Sequence, residues 1–207
     1  LKEVHPNLDA QAMLPEMSAF VSRAKTQALL PTDLEQFHNQ YSHIVPPGGI
    51  MVYKRYQEYL QACNAMDFGD LIVNVLLLLR NNAAVREALQ SKYQYLLVDE
   101  YQDTNRSQFE LVSILAQKHE NLFVVGDDDQ SIYSWRGAVP GNILNFDRIY
   151  PAARTIILEQ NYRCTARIVK GASAMIANNR KRAKKNVFTN NTAGELIQYY
   201  VAQDGEM

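Results

Sequence analysis

The stretch YQYLLVDEYQDTN, residues 93–105, decides the fold. Tyr95, Leu96, Leu97 and Val98 are consecutive apolar residues that run straight into Asp99 and Glu100. An uninterrupted apolar run of this kind predicts a strand buried inside a parallel sheet. Asn105 follows, with Gln108 three residues on, which fits a helix N-cap and its capping-box partner. Phe109, Val112, Leu115 and Ala116 then mark one face of the helix.

Working outward from this unit, the pattern repeats. Residues 121–126 predict a second buried strand, ending in Asp127, Asp128 and Asp129. Residues 142–149 predict a short helix that Pro151 ends, and residues 154–158 a third strand. Residues 166–177 read as an amphipathic helix, residues 180–185 as a basic stretch and residues 196–201 as a last strand. Upstream, residues 1–64 read as short helices. Leu14, Met17, Phe20 and Val21 recur at helical spacing, as do Val52, Tyr56, Tyr59 and Leu60. Pro31 and the run Pro46, Pro47, Gly48, Gly49 break the region. Residues 67–80 predict a mostly buried helix. Strands alternating with helices imply an α/β fold with a parallel sheet.

Composition narrows the function classes. With 47% hydrophobic residues in 207, a sizeable core is available. A formal net charge of −1 excludes a globally basic coat, so any nucleic-acid surface must be local. The 2 cysteines, Cys63 and Cys164, match no zinc spacing and suggest no disulfide framework, which favours a reducing, cytoplasmic interior. The longest apolar run, residues 75–79, is far too short to span a bilayer, and no membrane partner is expected.

In open parallel sheets, ligands bind beyond the carboxyl ends of the strands, and three of the expected strands here end in a polar cluster. Asp99 and Glu100 have the form of a Walker B pair. The first carboxylate would hold Mg²⁺ largely through water, and the second is placed to polarise an attacking water. The alternative is an ordinary strand-end Asp that caps the next helix. Asp127, Asp128 and Asp129 crowd like charges that call for a cation or donors, while Gln130 can hydrogen-bond a phosphate oxygen and a water. A solvated acidic turn is the alternative there. In Ser131-Ile-Tyr-Ser-Trp-Arg-Gly, Tyr133 and Trp135 lie two positions apart and face the same way if the segment is extended. With Arg136 they suit stacking on single-stranded nucleic acid. Otherwise Trp135 is core. Arg163 could reach a terminal phosphate and Tyr162 could stack on a base. Alternatively, Arg163 pairs with a carboxylate. The basic residues of 180–185 are either a solvated face or phosphate contacts.

The order and spacing of these clusters resemble one family. DEYQDTN at 99–105, VGDDDQSIYSWRGA at 125–138 and LEQNYRC at 158–164 resemble motifs II, III and IV of the UvrD/Rep/PcrA helicases, superfamily 1 motors that translocate 3′ to 5′ on DNA. MDFGDLI at 66–72 is similar to the helical segment that precedes motif II. The resemblance implies an incomplete RecA-like P-loop NTPase sheet with a helical insertion on its N-terminal side. It implies Asp99 as the Mg²⁺ carboxylate, Glu100 as the water-activating base and Gln130 as the γ-phosphate sensor. Tyr162 matches the adenine-stacking position and Arg163 the arginine finger. Tyr133, Trp135 and Arg136 match single-strand DNA contacts, and Phe68 lies near the DNA path. Two positions depart from the family: Gly69 stands in place of an acidic residue, and Cys164 in place of Ser, which puts helix capping there in question.

No glycine-rich Walker A stretch with Gly-Lys-Ser/Thr occurs in the 207 residues. The expectation is therefore an internal piece of a longer helicase, beginning mid-pattern at Leu1. Residues 1–64 would be part of a helical insertion, 65–150 the back of a first RecA-like motor domain and 151–207 the start of a second. The parent would use ATP and Mg²⁺ on single-stranded and duplex-junction DNA, and the isolated piece would not turn over ATP. A motor-dead DNA- or protein-binding module is the alternative. A non-helicase P-loop ATPase leaves the 131–137 segment unexplained. Uncovered sheet edges would favour dimerisation of the piece.

Overall fold

A computed structural model describes residues 10–201, so the first nine residues of the expected helical region and the last six of the chain lie outside the described residues. Ten helices and two strands follow in order: α1 (Ala10–Thr26), α2 (Pro31–Gln36), α3 (His38–Tyr41), α4 (Gly49–Ala62), α5 (Phe68–Asn81), α6 (Ala83–Lys92), β1 (Leu96–Val98), α7 (Arg106–Ala116), β2 (Leu122–Val124), α8 (Gly141–Leu144), α9 (Phe146–Ile149) and α10 (Ala166–Ile176). Two compact units divide after Ile143.

In the first unit, the apolar face of α1 builds a core with α2 and α4. Phe20, Val21, Ala24, Leu29, Leu34 and Tyr53 are buried together, with Tyr41, Val45 and Ile50 packed against them. Pro31 does more than break a helix: it occupies the first position of α2, where its missing N–H costs nothing. Before α4, Gly48 takes φ 72°, a conformation that favours glycine. The buried face of α4 differs from the expected one. Tyr53 is fully buried, its hydroxyl donating to the Leu29 carbonyl at 3.2 Å, while Tyr59 is 69% exposed.

Helix α5 begins where the sequence predicts. Asp67 is its N-cap and accepts from the Asp70 N–H, and the Asp70 carboxylate accepts from the Asp67 N–H. Val73, Leu76 and Leu79, at a spacing of three, bury the face of α5 that meets α6 and α7. Helix α6, capped by Asn82, was not expected from the sequence. Among the described residues no single helix is long and apolar enough to cross a membrane; α5 and α6, apolar in series, are bent by 109°.

The sheet is parallel but small: β1 and β2 pair Leu96 with Leu122, Leu97 with Phe123 and Val98 with Val124. It is half-buried on one side and exposed on the other. Leu97 is 76% and Phe123 58% exposed, so the apolar run of residues 95–98 marks a strand whose second face is uncovered among the described residues. The expected third strand does not form. Residues 154–158 have no ladder partner among the described residues, and only Gln160 bridges to Phe188. Residues 196–201 are likewise without strand pairing. An apolar run becomes a strand only when a partner edge lies alongside it.

In the second unit, the Phe146 and Tyr150 rings meet at a tilt of 41° with centres 4.8 Å apart, and α10 buries Val169. The doubt raised by Cys164 resolves through backbone. The helix N-cap residue Thr165 makes no side-chain cap, and the N–H groups of Ala166 and Arg167 donate instead to the carbonyls of Thr192 and Ala193, at 3.0 and 3.2 Å.

Candidate functional site

The carboxyl ends of β1 and β2 lie side by side, because the strands are parallel and in register. The chain leaves β1 through Asp99 and Glu100, both exposed. Asp99 Oδ1 accepts from the Glu100 N–H at 2.9 Å. Glu100 takes φ 50° and ψ 41°, a left-handed conformation that costs a non-glycine residue about 1–2 kcal/mol. Strain of this kind persists where surrounding contacts over-determine it, which occurs at functional sites. Here a 3-10 turn (Tyr101–Asp103) follows, with Tyr101 buried and its N–H bonded to the Val125 carbonyl of the neighbouring strand's extension. Asn105 then caps α7 as predicted: its side chain accepts from the Gln108 N–H at 2.9 Å, and Gln108 Oε1 accepts from the Asn105 N–H at 3.0 Å.

Strand β2 delivers the second loop. Asp127 Oδ1 accepts from the Asp129 N–H at 3.1 Å, and Asp127 Oδ2 accepts from Gln130 Nε2 at 2.7 Å. The acidic turn is thus ordered by its own amide donors, and Gln130 sits exposed at its end. The carboxylates of Asp127, Asp128 and Asp129 each bring an oxygen within 4.8 Å of the others.

Between the two loops stands Gln102, a residue the sequence reading passed over. It is 1% exposed. Its Nε2 donates to Glu100 Oε2 at 2.7 Å and to Asp103 Oδ2 at 3.3 Å, and its Oε1 accepts from the Asp127 N–H at 3.0 Å. Its one sequence signal is its place between Glu100 and Asp103, as an amide flanked by carboxylates.

Residues 131–137 form a turn rather than the extended segment expected. A 3-10 turn (Ser134–Arg136) ends at Gly137, whose φ of 89° suits glycine. The rings nevertheless meet: Tyr133 and Trp135 lie 6.3 Å apart, and the Arg136 guanidinium sits 5.8 and 5.2 Å from their centres. Trp135 is 76% exposed, so among the described residues it packs into no core. Phe68, at the start of α5, is 90% exposed.

Below Phe68 lies a charged cluster. Lys25 Nζ, 2% exposed, is 2.6 Å from Asp67 Oδ2 and 2.8 Å from Asp70 Oδ1. It also faces the rings of Tyr53 and Tyr56 at 5.8 and 5.0 Å. Burial alone would raise the Asp67 carboxyl; the hydrogen bond and charge of Lys25, the Asp70 N–H and the Tyr56 hydroxyl outweigh it and hold Asp67 below its usual range. Burial, then the neighbouring carboxylates, push both tyrosine hydroxyls up. Gly69 has its reason here. A Cβ would lie 2.7 Å from Lys25 Cδ, so the lysine occupies the space a side chain would need.

In the second unit, the loop carrying Tyr162 and Arg163 is fastened from two sides. Asn161 Oδ1 accepts from the N–H groups of Arg163 and Cys164, at 3.0 and 2.8 Å. Asn191 Nδ2 donates to the carbonyls of Tyr162 and Cys164, at 3.1 and 3.0 Å. Tyr162 and Arg163 point outward and are exposed. No carboxylate partner of the Arg163 side chain is found among the described residues.

Comparison with known proteins agrees with the motif order. ATP-dependent DNA helicase PcrA of Staphylococcus aureus is 46% identical over 198 residues, which is 95% of this chain. The protein of the same name in Staphylococcus epidermidis is 44% identical over 198 residues. The chain spans 27% of the length of each of these relatives. The pattern of the UvrD/REP helicase N-terminal domain matches residues 1–151. The chain belongs to the UvrD/REP helicase family.

Proposed function

We propose that the chain is the part of an ATP-driven, 3′–5′ DNA helicase that carries the water-activating carboxylate and a single-strand grip. The observation that supports this most is the pairing of two polar loops at the carboxyl ends of adjacent parallel strands, with Glu100 on one and Gln130 on the other. In this reading the two strands belong to a larger RecA-like sheet. Residues 1–64 are part of a helical insertion, 65–150 the back of the first motor domain and 151–207 the start of the second.

Asp99 and Glu100 are exposed hard-oxygen ligands, the donor set that suits a largely hydrated Mg²⁺. Bound Mg²⁺ would neutralise charge on the phosphates. Asp99 would hold the ion, Glu100 would accept a proton from water, and Gln130 would contact the γ-phosphate. Arg163 would stabilise transferred charge as an arginine finger, and Tyr162 would stack on adenine. The phosphate cradle has no counterpart in the 207 residues, so the nucleotide site requires chain beyond them. The 207-residue chain alone therefore turns over no ATP. Tyr133, Trp135 and Arg136, with Phe68 nearby in role, would hold single-stranded and junction DNA in the cytoplasm. The absent cradle also favours a second reading, a motor-dead DNA- or protein-binding module, and a Gly-Lys-Thr stretch upstream in the gene decides against it.

Two substitutions in the full-length protein test the reading. Glu100→Gln lowers DNA-stimulated ATP turnover by about 10²–10⁴. Trp135→Ala weakens single-strand affinity by roughly 5- to 150-fold, the equivalent of about 1–3 kcal/mol for one stacked base. Turnover within twofold of the parent in the first case, or unchanged affinity in the second, refutes the corresponding role.

A further inference from the structure

We infer that Gln102 is a positioning residue that holds the Glu100 carboxylate and ties it to the conformation of the 127–131 loop. The inference rests on the role proposed above for Glu100.

The orientation of the Gln102 amide follows from its neighbours. The Asp127 backbone N–H can only donate, so the amide oxygen faces it. The carboxylates of Glu100 and Asp103 accept when ionised, so the amide nitrogen faces them. A flipped amide would set oxygen against carboxylate and N–H against N–H. The side chain is 1% exposed, so water does not compete for either end. Gly126 closes the space above it: a Cβ there would stand 2.6 Å from Gln102 Oε1 and 2.8 Å from Ile143 Cδ1. The backbone of Gln102 also joins the second loop, its carbonyl accepting from Ser131 Oγ at 3.3 Å.

A continuous chain of three hydrogen bonds results. Gln130 Nε2 donates to Asp127 Oδ2 at 2.7 Å, the Asp127 N–H donates to Gln102 Oε1 at 3.0 Å, and Gln102 Nε2 donates to Glu100 Oε2 at 2.7 Å. The amide is planar and rigid, so a shift of Asp127 displaces the nitrogen that holds Glu100. A ligand that draws Gln130 away from Asp127 therefore changes how the Glu100 carboxylate is presented. The left-handed backbone of Glu100 makes it dependent on this hold, because nothing intrinsic to the residue favours that conformation.

The test uses the full-length protein with Gln102→Met, Gln102→Glu, Gln130→Ala and the double variant Gln102→Met with Gln130→Ala. Steady-state kcat and KM for ATP are measured with single-stranded DNA, and amide hydrogen exchange over residues 96–98 and 122–131 in the same proteins. Gln102→Met is expected to lower kcat tenfold or more, to leave KM within twofold and to speed exchange of the Asp127 amide at least tenfold. Gln102→Glu keeps the acceptor and loses the donor. Its expected result is a similar fall in kcat with Asp127 protection retained. The double variant is expected to be no slower than the slower single variant, because both interrupt one chain of contacts.

The inference is overturned if Gln102→Met or Gln102→Glu keeps kcat within twofold, or if the single effects multiply. It is also overturned if Asp127 exchange is unchanged in Gln102→Met. If residues 96–98 and 122–124 lose protection in Gln102→Met, Gly126→Ala displaces the same amide by contact with its oxygen and is held to the same kcat, KM and exchange criteria. Glu100→Gln separates the two levels. If it keeps turnover, the role of Glu100 fails and the inference with it; if it abolishes turnover while the Gln102 variants do not, only the inference fails.

Discussion

Replacing Lys25 with methionine keeps the aliphatic stem and removes the positive charge from the Asp67 and Asp70 cluster. Each carboxylate then retains neutral donors: Gln57 Nε2 at 3.0 Å and the Asp67 N–H at 3.1 Å for Asp70, the Tyr56 hydroxyl at 3.0 Å and the Asp70 N–H at 2.9 Å for Asp67. What is lost is the counter-charge. Asp67 is 29% exposed and water replaces much of its lost attraction, whereas Asp70 is 2% exposed and has no such recourse. Removing one partner of a buried pair costs about 3–5 kcal/mol, and with one of the two arms partly screened the expectation is the lower end, about 3 kcal/mol. That is roughly 100-fold in the unfolding equilibrium and about 6–12 °C in Tm for a chain of this size. The assay is urea and thermal unfolding followed by far-ultraviolet circular dichroism. Asp70→Asn in the Lys25→Met background should recover a large part of the loss, since it removes the stranded charge. A loss below about 1 kcal/mol, or a double variant no more stable than the single one, refutes the claim that Lys25 compensates a buried carboxylate.

The same cluster predicts the pH profile. Asp67 lies below its ordinary value, so its contribution is complete at neutral pH and is lost as pH falls below about 4 through the folded-state value. Tyr53 and Tyr56 lie above theirs, so stability also falls as pH rises past about 10; chemical denaturation from pH 2 to 11 reads both limbs, and Lys25→Met should flatten the acid one. Gly69→Ala ordinarily adds up to about 1 kcal/mol in a helix, but here the Cβ meets Lys25, and a net loss of about 1–3 kcal/mol is expected from the same unfolding assay. Asn105→Ala removes the cap of α7 and should cost about 1 kcal/mol, with faster amide exchange confined to the first turn of that helix.

Local signals were the readable ones. The Asn105 and Gln108 capping box was legible because its two residues lie three apart, and α5 because its run of residues is strongly apolar. Distant partnerships were not. Lys25 meets Asp67 across 42 residues and Gln102 meets Asp127 across 25, and no periodicity encodes either contact. Tyr53 and Tyr56 are chemically alike, and the spacing that pointed to Tyr56 missed that α4 turns Tyr53 inward. Residues 154–158 have strand composition, but composition cannot supply a neighbouring edge. The aromatic turn was legible as a constellation and not as a conformation: the expected company of Tyr133, Trp135 and Arg136 arises through a tight turn.

Leu97 and Phe123 are register partners, so their exposed side chains form an unbroken greasy row across both strands. With a formal net charge of −1, the chain has little coulombic repulsion to keep such rows apart. Its colloidal behaviour in isolation is thus governed by lyotropic salts: sulfate should drive self-association at concentrations where chloride does not, and a lysine at position 97 should abolish the difference.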